Sequence, residues 1–318
     1  MAYISVRGVE HYYQWIPEVR TRGKPVMVFI HGWGGSARYW QDTAIALSAD
    51  FDCLLYDLRG FGRSKLPQFP VSQIHHQGNN QGNNQGNNQD NTQDNTEDTG
   101  EISYDLEEYA IDLNLLLDQL ELGEVYLNGH SVGASIATLF LRMYGDRVKQ
   151  AILTCSGIFT YEAKSFAAFH QFGGYVVKFR PQWFQYVPFA GQLFMARFLH
   201  KPLPEKVGKE FLADFLAADY EAALGTIYTS VSQHASEVMP QAFAQIQTPT
   251  LLIAGEKDII IPAAMGKNAA SLSPYVEYYE IPATAHFPML EAPEIYLAKV
   301  RDFLNIGEKS KPAETSTN

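Results

Sequence analysis

Cysteine is scarce in this chain: of 318 residues only Cys53 and Cys155 carry thiols. Two cysteines exclude a disulfide framework, and no His/Cys cluster has metal-ligand spacing. Both lie in apolar, strand-like runs, FDCLLYD and AILTCSG, and read as buried thiols. Positive charge is also short, with 24 Lys and Arg against 35 Asp and Glu, a formal net charge of −11. Phosphate backbones are bound by basic patches, and none stands out, so nucleic acid is not an expected partner. Apolar runs long enough to cross a bilayer are absent, and an integral membrane segment is not expected. The opening MAYISVRGVEHYYQW lacks the basic and then apolar regions of a secretory signal. A cytoplasmic location is the resulting expectation.

What is present suits a globular protein with a sizeable core: 46% hydrophobic and 19% charged residues. AYISVRGVEHYYQWI reads as an opening strand pair. PVMVFIHG, FDCLLYDL, EVYLNGH, QAILTCSG, PTLLIAGEKD and VEYYEIP are short apolar runs that end in turn residues. Continuous runs of this length fit strands covered on both faces of a parallel sheet. Between them, SYDLEEYAIDLNLLLDQLEL, GASIATLFLRMYG and PEIYLAKVRDFL carry helical spacing, the first with Ser103 as its expected N-cap. Alternating strands and helices predict an α/β fold with a mostly parallel central sheet flanked by helices.

Two stretches break the alternation. Residues 74–100 contain the four-residue repeat QGNNQGNNQGNNQDNTQDNT, with no apolar residue to bury after Ile74 until the repeat ends. Such a composition cannot offset the entropy of ordering, and a disordered low-complexity insertion is expected there. From 158 to 244 the strands stop and aromatics crowd FAAFHQFGGYVVKFRPQWFQYVPFAGQLFMARFL. This predicts a helical insertion of about one small domain, with residues 1–157 and 245–307 forming the core and 308–318 a flexible tail.

One segment, VYLNGHSVGASIA, turns from strand to small-residue helix around a serine set between two glycines. Glycine and serine abundances would produce G-x-S-x-G by accident in about one chain in ten of this length. The context carries the reading: a sharp strand-to-helix turn needs small residues two before and two after, and lifts the Ser131 hydroxyl clear of the sheet. The helix N-terminus then favours negative charge that develops beside it.

A serine hydroxyl needs a base, and the base an orienting acid. Of nine histidines, His75 and His76 border the repeat, His11 lies in the opening hairpin, and His170, His200 and His234 fall in the insertion. His31 and His130 flank glycine turns and read as loop supports. His286, in YYEIPATAHFPMLEAPE, follows the last strand and can reach over the sheet edge. Asp258 lies just past the strand of LLIAGEKDIIIP, with Glu256 the second choice; the chain order is then Ser131, Asp258, His286. Asp57 in YDLRGFGRS reads as a tie for its glycine-rich turn. For the oxyanion, the expected donors are the backbone N–H groups of Val132 and of Trp33 in FIHGWGGSARYW.

With those residues in place, HGWGGS, DLRGFGRS, GHSVGAS, AGEKDIIIP and AHFPMLEAP together resemble the α/β-hydrolase superfamily, in its capped branch of esterase-like and C–C-bond hydrolases. The resemblance spans nearly the whole chain outside the repeat and the insertion. It implies an α/β-hydrolase fold, a Ser131–Asp258–His286 triad, an oxyanion hole at Trp33 and Val132, and a helical cap over 158–244. It implies cleavage of an ester or related acyl bond of a small, apolar substrate, with no metal and no organic cofactor. A C–C hydrolase of a vinylogous diketone acid is the alternative; its substrate carboxylate would need a cation such as Arg180 or Arg197. Gly133 is followed by Ala134 where many C–C hydrolases have a second glycine, which favours the ester reading. A serine in place of aspartate disfavours epoxide-hydrolase and haloalkane-dehalogenase chemistry. A third reading is a non-catalytic ligand-binding protein on this fold, with the repeat as an interaction tail.

Overall fold

The computed structural model describes residues 2–67 and 103–306. The repeat and the tail expected at 308–318 lie outside them. Eight strands form one sheet: β1 (Ala2–Val6), β2 (Val9–Ile16), β3 (Val26–Ile30), β4 (Asp52–Tyr56), β5 (Val125–His130), β6 (Val148–Thr154), β7 (Thr250–Gly255) and β8 (Val276–Ile281). Their spatial order is β1-β2-β4-β3-β5-β6-β7-β8. The first hairpin is antiparallel and joins β4 antiparallel; all the pairs from β4 to β8 are parallel. Around the sheet lie α1 (Gln41–Leu47), α2 (Leu106–Gln119) and α3 (Val132–Tyr144), then α9 (Ala263–Ala270), α10 (Pro288–Glu291) and α11 (Pro293–Leu304). Between β6 and β7 come five helices in a row: α4 (Ala163–Lys178), α5 (Ala190–Met195), α6 (Glu205–Ala217), α7 (Tyr220–Ser230) and α8 (Gln233–Ala244). None of the described helices is long and apolar enough to cross a membrane.

The continuous apolar runs explain the sheet. Every residue of β3, β4 and β7 is buried, because successive side chains point to opposite faces and both faces are covered. Val28, Ile30 and Leu54 pack with Leu113, Leu117, Ala137 and Phe140 of α2 and α3. Their neighbours Met27, Phe29, Cys53 and Leu55 pack with Leu47, Tyr296 and Val300 of α1 and α11. Both cysteines are free and buried. Burial pushes the Cys53 thiol up to about 12, and burial and then Asp258 raise that of Cys155 well above the usual thiol range. Neither is a ready nucleophile.

One local expectation is corrected. Helix α2 is capped at Asp105, not at Ser103. The Ser103 hydroxyl is spent on Asp105 itself, donating to its carboxylate at 2.8 Å and accepting its N–H at 3.2 Å. The Tyr104 carbonyl accepts the Thr229 hydroxyl at 2.6 Å, so the segment stays extended two residues longer than the serine signal suggests.

The five-helix insertion seats on the glycine-rich turns of the core. Gly60 has φ +80°, and a Cβ there would lie 2.2 Å from the Ala222 Cβ; the Asp219 N–H donates to its carbonyl at 2.8 Å. The buried Asp214 carboxylate accepts the Ser36 hydroxyl at 2.6 Å and faces Arg38 at 3.3 Å. Asp57 ties the turn down as expected of it: its carboxylate accepts from the Ala37 and Arg63 amides, both at 2.8 Å, and from the Arg63 guanidinium.

Next to that turn, Arg59 is 2% exposed and pairs with Asp112, 3% exposed, at 2.7 Å. Its guanidinium also donates to the Ser103 carbonyl at 3.0 Å and lies 4.6 Å over the Tyr109 ring. Breaking a buried pair on one side leaves a desolvated charge and costs about 3–5 kcal/mol. Asp112 keeps a second cation, Arg7, at 3.4 Å, so Arg59→Met is expected to lower the unfolding free energy in urea by about 3 kcal/mol, the low end of that range; a loss under about 1 kcal/mol, the level of an ordinary surface change, contradicts the pairing as a structural tie between the turn after β4 and α2.

Candidate active site

Ser131 follows β5 and begins α3 with φ 55° and ψ −122°, a backbone state that L residues adopt only where surrounding packing enforces it. The enforcement is backbone against backbone. A Cβ on Gly133 would lie 2.4 Å from the Ile30 carbonyl oxygen and 2.5 Å from that of His31; one on Gly129 would lie 2.6 Å from the Gly133 oxygen. Nothing larger than hydrogen fits at either place. The Ser131 N–H donates to the Thr154 carbonyl at 2.9 Å, which fixes the turn to β6.

Asp258 and His286 arrive from the next two strands, whose trailing loops are sewn together. The Glu256 N–H donates to Ile281 at 3.1 Å and the Lys257 N–H to Thr284 at 2.8 Å. A Cβ on Gly255 would stand 2.0 Å from the Ala285 oxygen. This crossing sets Asp258 Oδ2 2.7 Å from His286 Nδ1. Asp258 Oδ1 accepts the Ile260 and Ile261 amides at 2.8 and 3.1 Å. On the far side of the ring, His286 Nε2 lies 3.0 Å from Ser131 Oγ. Asp258 and His286 are buried and Ser131 is half-buried. An Nδ1–H donated to the carboxylate leaves Nε2 free to accept the serine hydroxyl. Glu256 is not in this line; it braces the turn through the Ala283 N–H at 2.9 Å and through Lys257.

The Trp33 and Val132 amides, the two expected oxyanion donors, have no hydrogen-bond partner among the described residues. The turn that carries Trp33 presses on the serine: a Cβ on Gly32 would lie 3.1 Å from the Ser131 Cβ. The Trp33 side chain turns toward the insertion, donating from its indole to the Ala223 carbonyl at 2.8 Å and packing 5.4 Å from the Phe215 ring.

The sequence reads His130 as a loop support; its partner Tyr39, and Glu291 and Phe198, escape that reading. His130 lies between Tyr39 and the His286 backbone: its Nε2 donates to the His286 carbonyl at 2.7 Å and its Nδ1 accepts the Tyr39 hydroxyl at 2.9 Å. Tyr39 in turn accepts the Gly32 N–H. Burial raises the Tyr39 hydroxyl well above the usual phenol range, which keeps it a donor. Burial, and then His286, push His130 well below the usual imidazole range, which keeps it neutral. Glu291 accepts the Ala285 N–H at 2.8 Å and the His200 and Lys201 amides at 2.7 and 2.9 Å. Phe198 accepts the His286 N–H at 2.9 Å. Apart from the Tyr39–Gly32 and Glu291–Ala285 contacts, these partners sit about 90 residues or more from the groups they hold, and no local pattern announces them.

Among the described residues, one His/Cys group has the spacing of a metal site: the ligand atoms of His130, Cys155 and His286 lie within 4.8 Å of one another. All four ring nitrogens already have partners, in Tyr39, the His286 carbonyl, Asp258 and Ser131. The geometry is that of a closed hydrogen-bond chain. What it can do chemically is take a proton from the serine hydroxyl and hold the resulting cation against a buried carboxylate.

A family model described as alpha/beta hydrolase fold matches residues 25–293. Among curated proteins, the 2-(acetamidomethylene)succinate hydrolase of Mesorhizobium japonicum is 23% identical over 304 residues, which cover 90% of this chain and 91% of the relative. Among solved structures, an esterase from Exiguobacterium antarcticum superposes with a TM-score of 0.71 at 18% identity, covering 96% of this chain and 99% of that one. The enol-lactonase from Burkholderia xenovorans LB400 gives 0.70 at 19% identity, over 95% and 99%. At these identities the two structures are likenesses of fold.

The buried histidines around the site predict acid sensitivity. Burial lowers His11, His31 and His130 from the ordinary 6.5. Below that pH the unfolded chain takes up protons that the folded chain refuses, so stability falls as pH falls, by at most about 1.4 kcal/mol per pH unit for each group. Asp214, raised by burial, acts in the opposite sense as one group against three. The urea midpoint is expected to drop from pH 7 to pH 5; an unchanged midpoint contradicts neutral, buried imidazoles at these positions.

Proposed function

The chain belongs to the alpha/beta hydrolase fold family, and on that premise we propose that it is a serine hydrolase cleaving an ester or related acyl bond of a small, apolar substrate through an acyl-enzyme. The observation that carries the reading is the single imidazole held at both nitrogens, 2.7 Å from Asp258 and 3.0 Å from Ser131. Unrelated hydrolases converge on this arrangement because each contact has a chemical task.

In the proposed reaction, Ser131 Oγ attacks the substrate carbonyl carbon as its proton passes to His286 Nε2. The carbonyl π electrons move to oxygen, and the oxyanion accepts the Trp33 and Val132 amides at the N-terminus of α3. Collapse breaks the bond to the leaving alcohol, which takes the proton from the imidazolium. Water then gives a proton to the same nitrogen, attacks the acyl-serine and releases the acid, and the proton returns to Ser131. Asp258 stays ionised throughout and holds the ring in the Nδ1–H tautomer.

Residues 158–244 act as a cap in this reading. Phe198 reaches from the insertion to the His286 backbone, with its ring 6.2 Å from the imidazole. Trp33 links the oxyanion turn to Ala223. The Phe198 ring beside the imidazole and the Trp33 ring against Phe215 support an apolar acyl or alcohol group. Of the candidate cations of the C–C reading, Arg180 donates to the Phe215 carbonyl at 2.7 Å and the exposed Arg197 lies 5.8 Å over the Phe172 ring, which favours the ester reading. One fold hosts many chemistries, so the relatives' own substrates are not transferred.

Ser131→Ala tests the reading on short p-nitrophenyl esters. Loss of the nucleophile is expected to lower kcat by roughly ten-thousandfold or more with the circular dichroism spectrum unchanged. Turnover equal to that of the parent protein contradicts the proposal.

A further inference from the structure

The insertion has an outer face that the fold does not use. Ten of the twenty large hydrophobic side chains exposed among the described residues fall between Tyr161 and Leu193. On α4, Phe166, Gly173 and Val177 are buried. Phe169, Phe172 and Tyr175, with Phe179 just past the helix end, recur at intervals of three and four and are exposed, Phe172 and Tyr175 on the side away from the buried residues. A surface helix with apolar residues on both sides is expecting a second apolar neighbour. Trp183, Tyr186 and Phe189 continue the exposed series beyond the helix, at 64, 80 and 67% exposure. Phe189 is held with φ 61°, a costly conformation for a bulky residue, and its ring still faces solvent.

Charge says what the neighbour is. From Ala163 to Pro204 there is no Asp or Glu, while Lys164, Lys178, Arg197 and Lys201 are exposed cations, in a chain of net charge −11; Glu205 and Glu210, which lie beside Tyr186, are matched by Lys209 and Lys206. Arg197 lies over the Phe172 ring, which places cation and aromatic on one surface. Two copies meeting through this patch would bring like charges together, since a two-fold contact pairs the patch with itself. Tyr and Trp rings with flanking Lys and Arg suit the headgroup depth of a bilayer, and anionic lipids supply the counter-charge. We propose that this face docks the protein peripherally on an anionic phospholipid bilayer.

The proposal does not use the catalytic reading, and its test separates the two. The full chain carrying Ser131→Ala is sedimented with sucrose-loaded vesicles of phosphatidylcholine, with and without a quarter of phosphatidylglycerol. Binding is expected to be at least about tenfold stronger on the anionic vesicles and to weaken as salt rises from about 0.1 to about 0.5 M. The triple variant Phe179→Ser, Trp183→Ser, Tyr186→Ser, all exposed side chains, is expected to lose that binding while hydrolysis of a water-soluble ester in the Ser131 background stays unchanged. Equal, weak sedimentation with both vesicles overturns the proposal. So does a dimer in sedimentation velocity that the triple variant dissolves, which would make the face a contact between copies.

Discussion

Beneath the site lies a contact between backbones that leaves no room for a methyl group. Gly133 at the start of α3 rests on the carbonyls of Ile30 and His31, at the end of β3. This close approach joins the two neighbouring parallel strands from which the chain departs in opposite directions along the sheet, the place where open α/β sheets form a crevice. It sets the turn at Gly32 against Ser131, where a Cβ would lie 3.1 Å from the Ser131 Cβ, and holds Ser131 in its positive-φ turn. The second crossing, Gly255 against Ala285, does the same for the loops that carry Asp258 and His286. Two glycine contacts thus set where the side chains meet, and the hydrogen bonds refine the geometry.

The supports around the imidazole form one connected system. Tyr39 links the Gly32 amide to His130, and His130 links to the His286 carbonyl. Tyr39 also stacks on Phe211 of the insertion at 5.2 Å, and Phe211 meets Phe287 at 4.8 Å. The turn at Gly32, the His286 backbone and the insertion are therefore braced by the same aromatic cluster.

Much of this was legible in the residue order because the governing interactions are local. Apolar runs ending in turns marked the strands, and glycines at fixed offsets from Ser131 marked the sharp turn. Asp258 and His286 stood out as polar residues just beyond strand ends. The non-local remainder was not legible. Nothing near Tyr39 points to His130, 91 residues away, and nothing near Arg59 points to Asp112, 53 residues away. Ser103 misled because a short polar side chain caps a helix or binds its neighbour equally well, and here Asp105 was the better partner. The aromatic density of the insertion was evident, but only burial divides it into a face that packs on the core and a face left in solvent.

The central claim is that His286 makes the Ser131 hydroxyl nucleophilic. A fluorophosphonate probe followed by peptide mass mapping tests it directly. The account predicts one covalent adduct, on the peptide that contains Ser131, formed much more slowly when His286 is replaced by Ala. No adduct on the folded protein, an adduct on another residue, or equal labelling without the imidazole would contradict it.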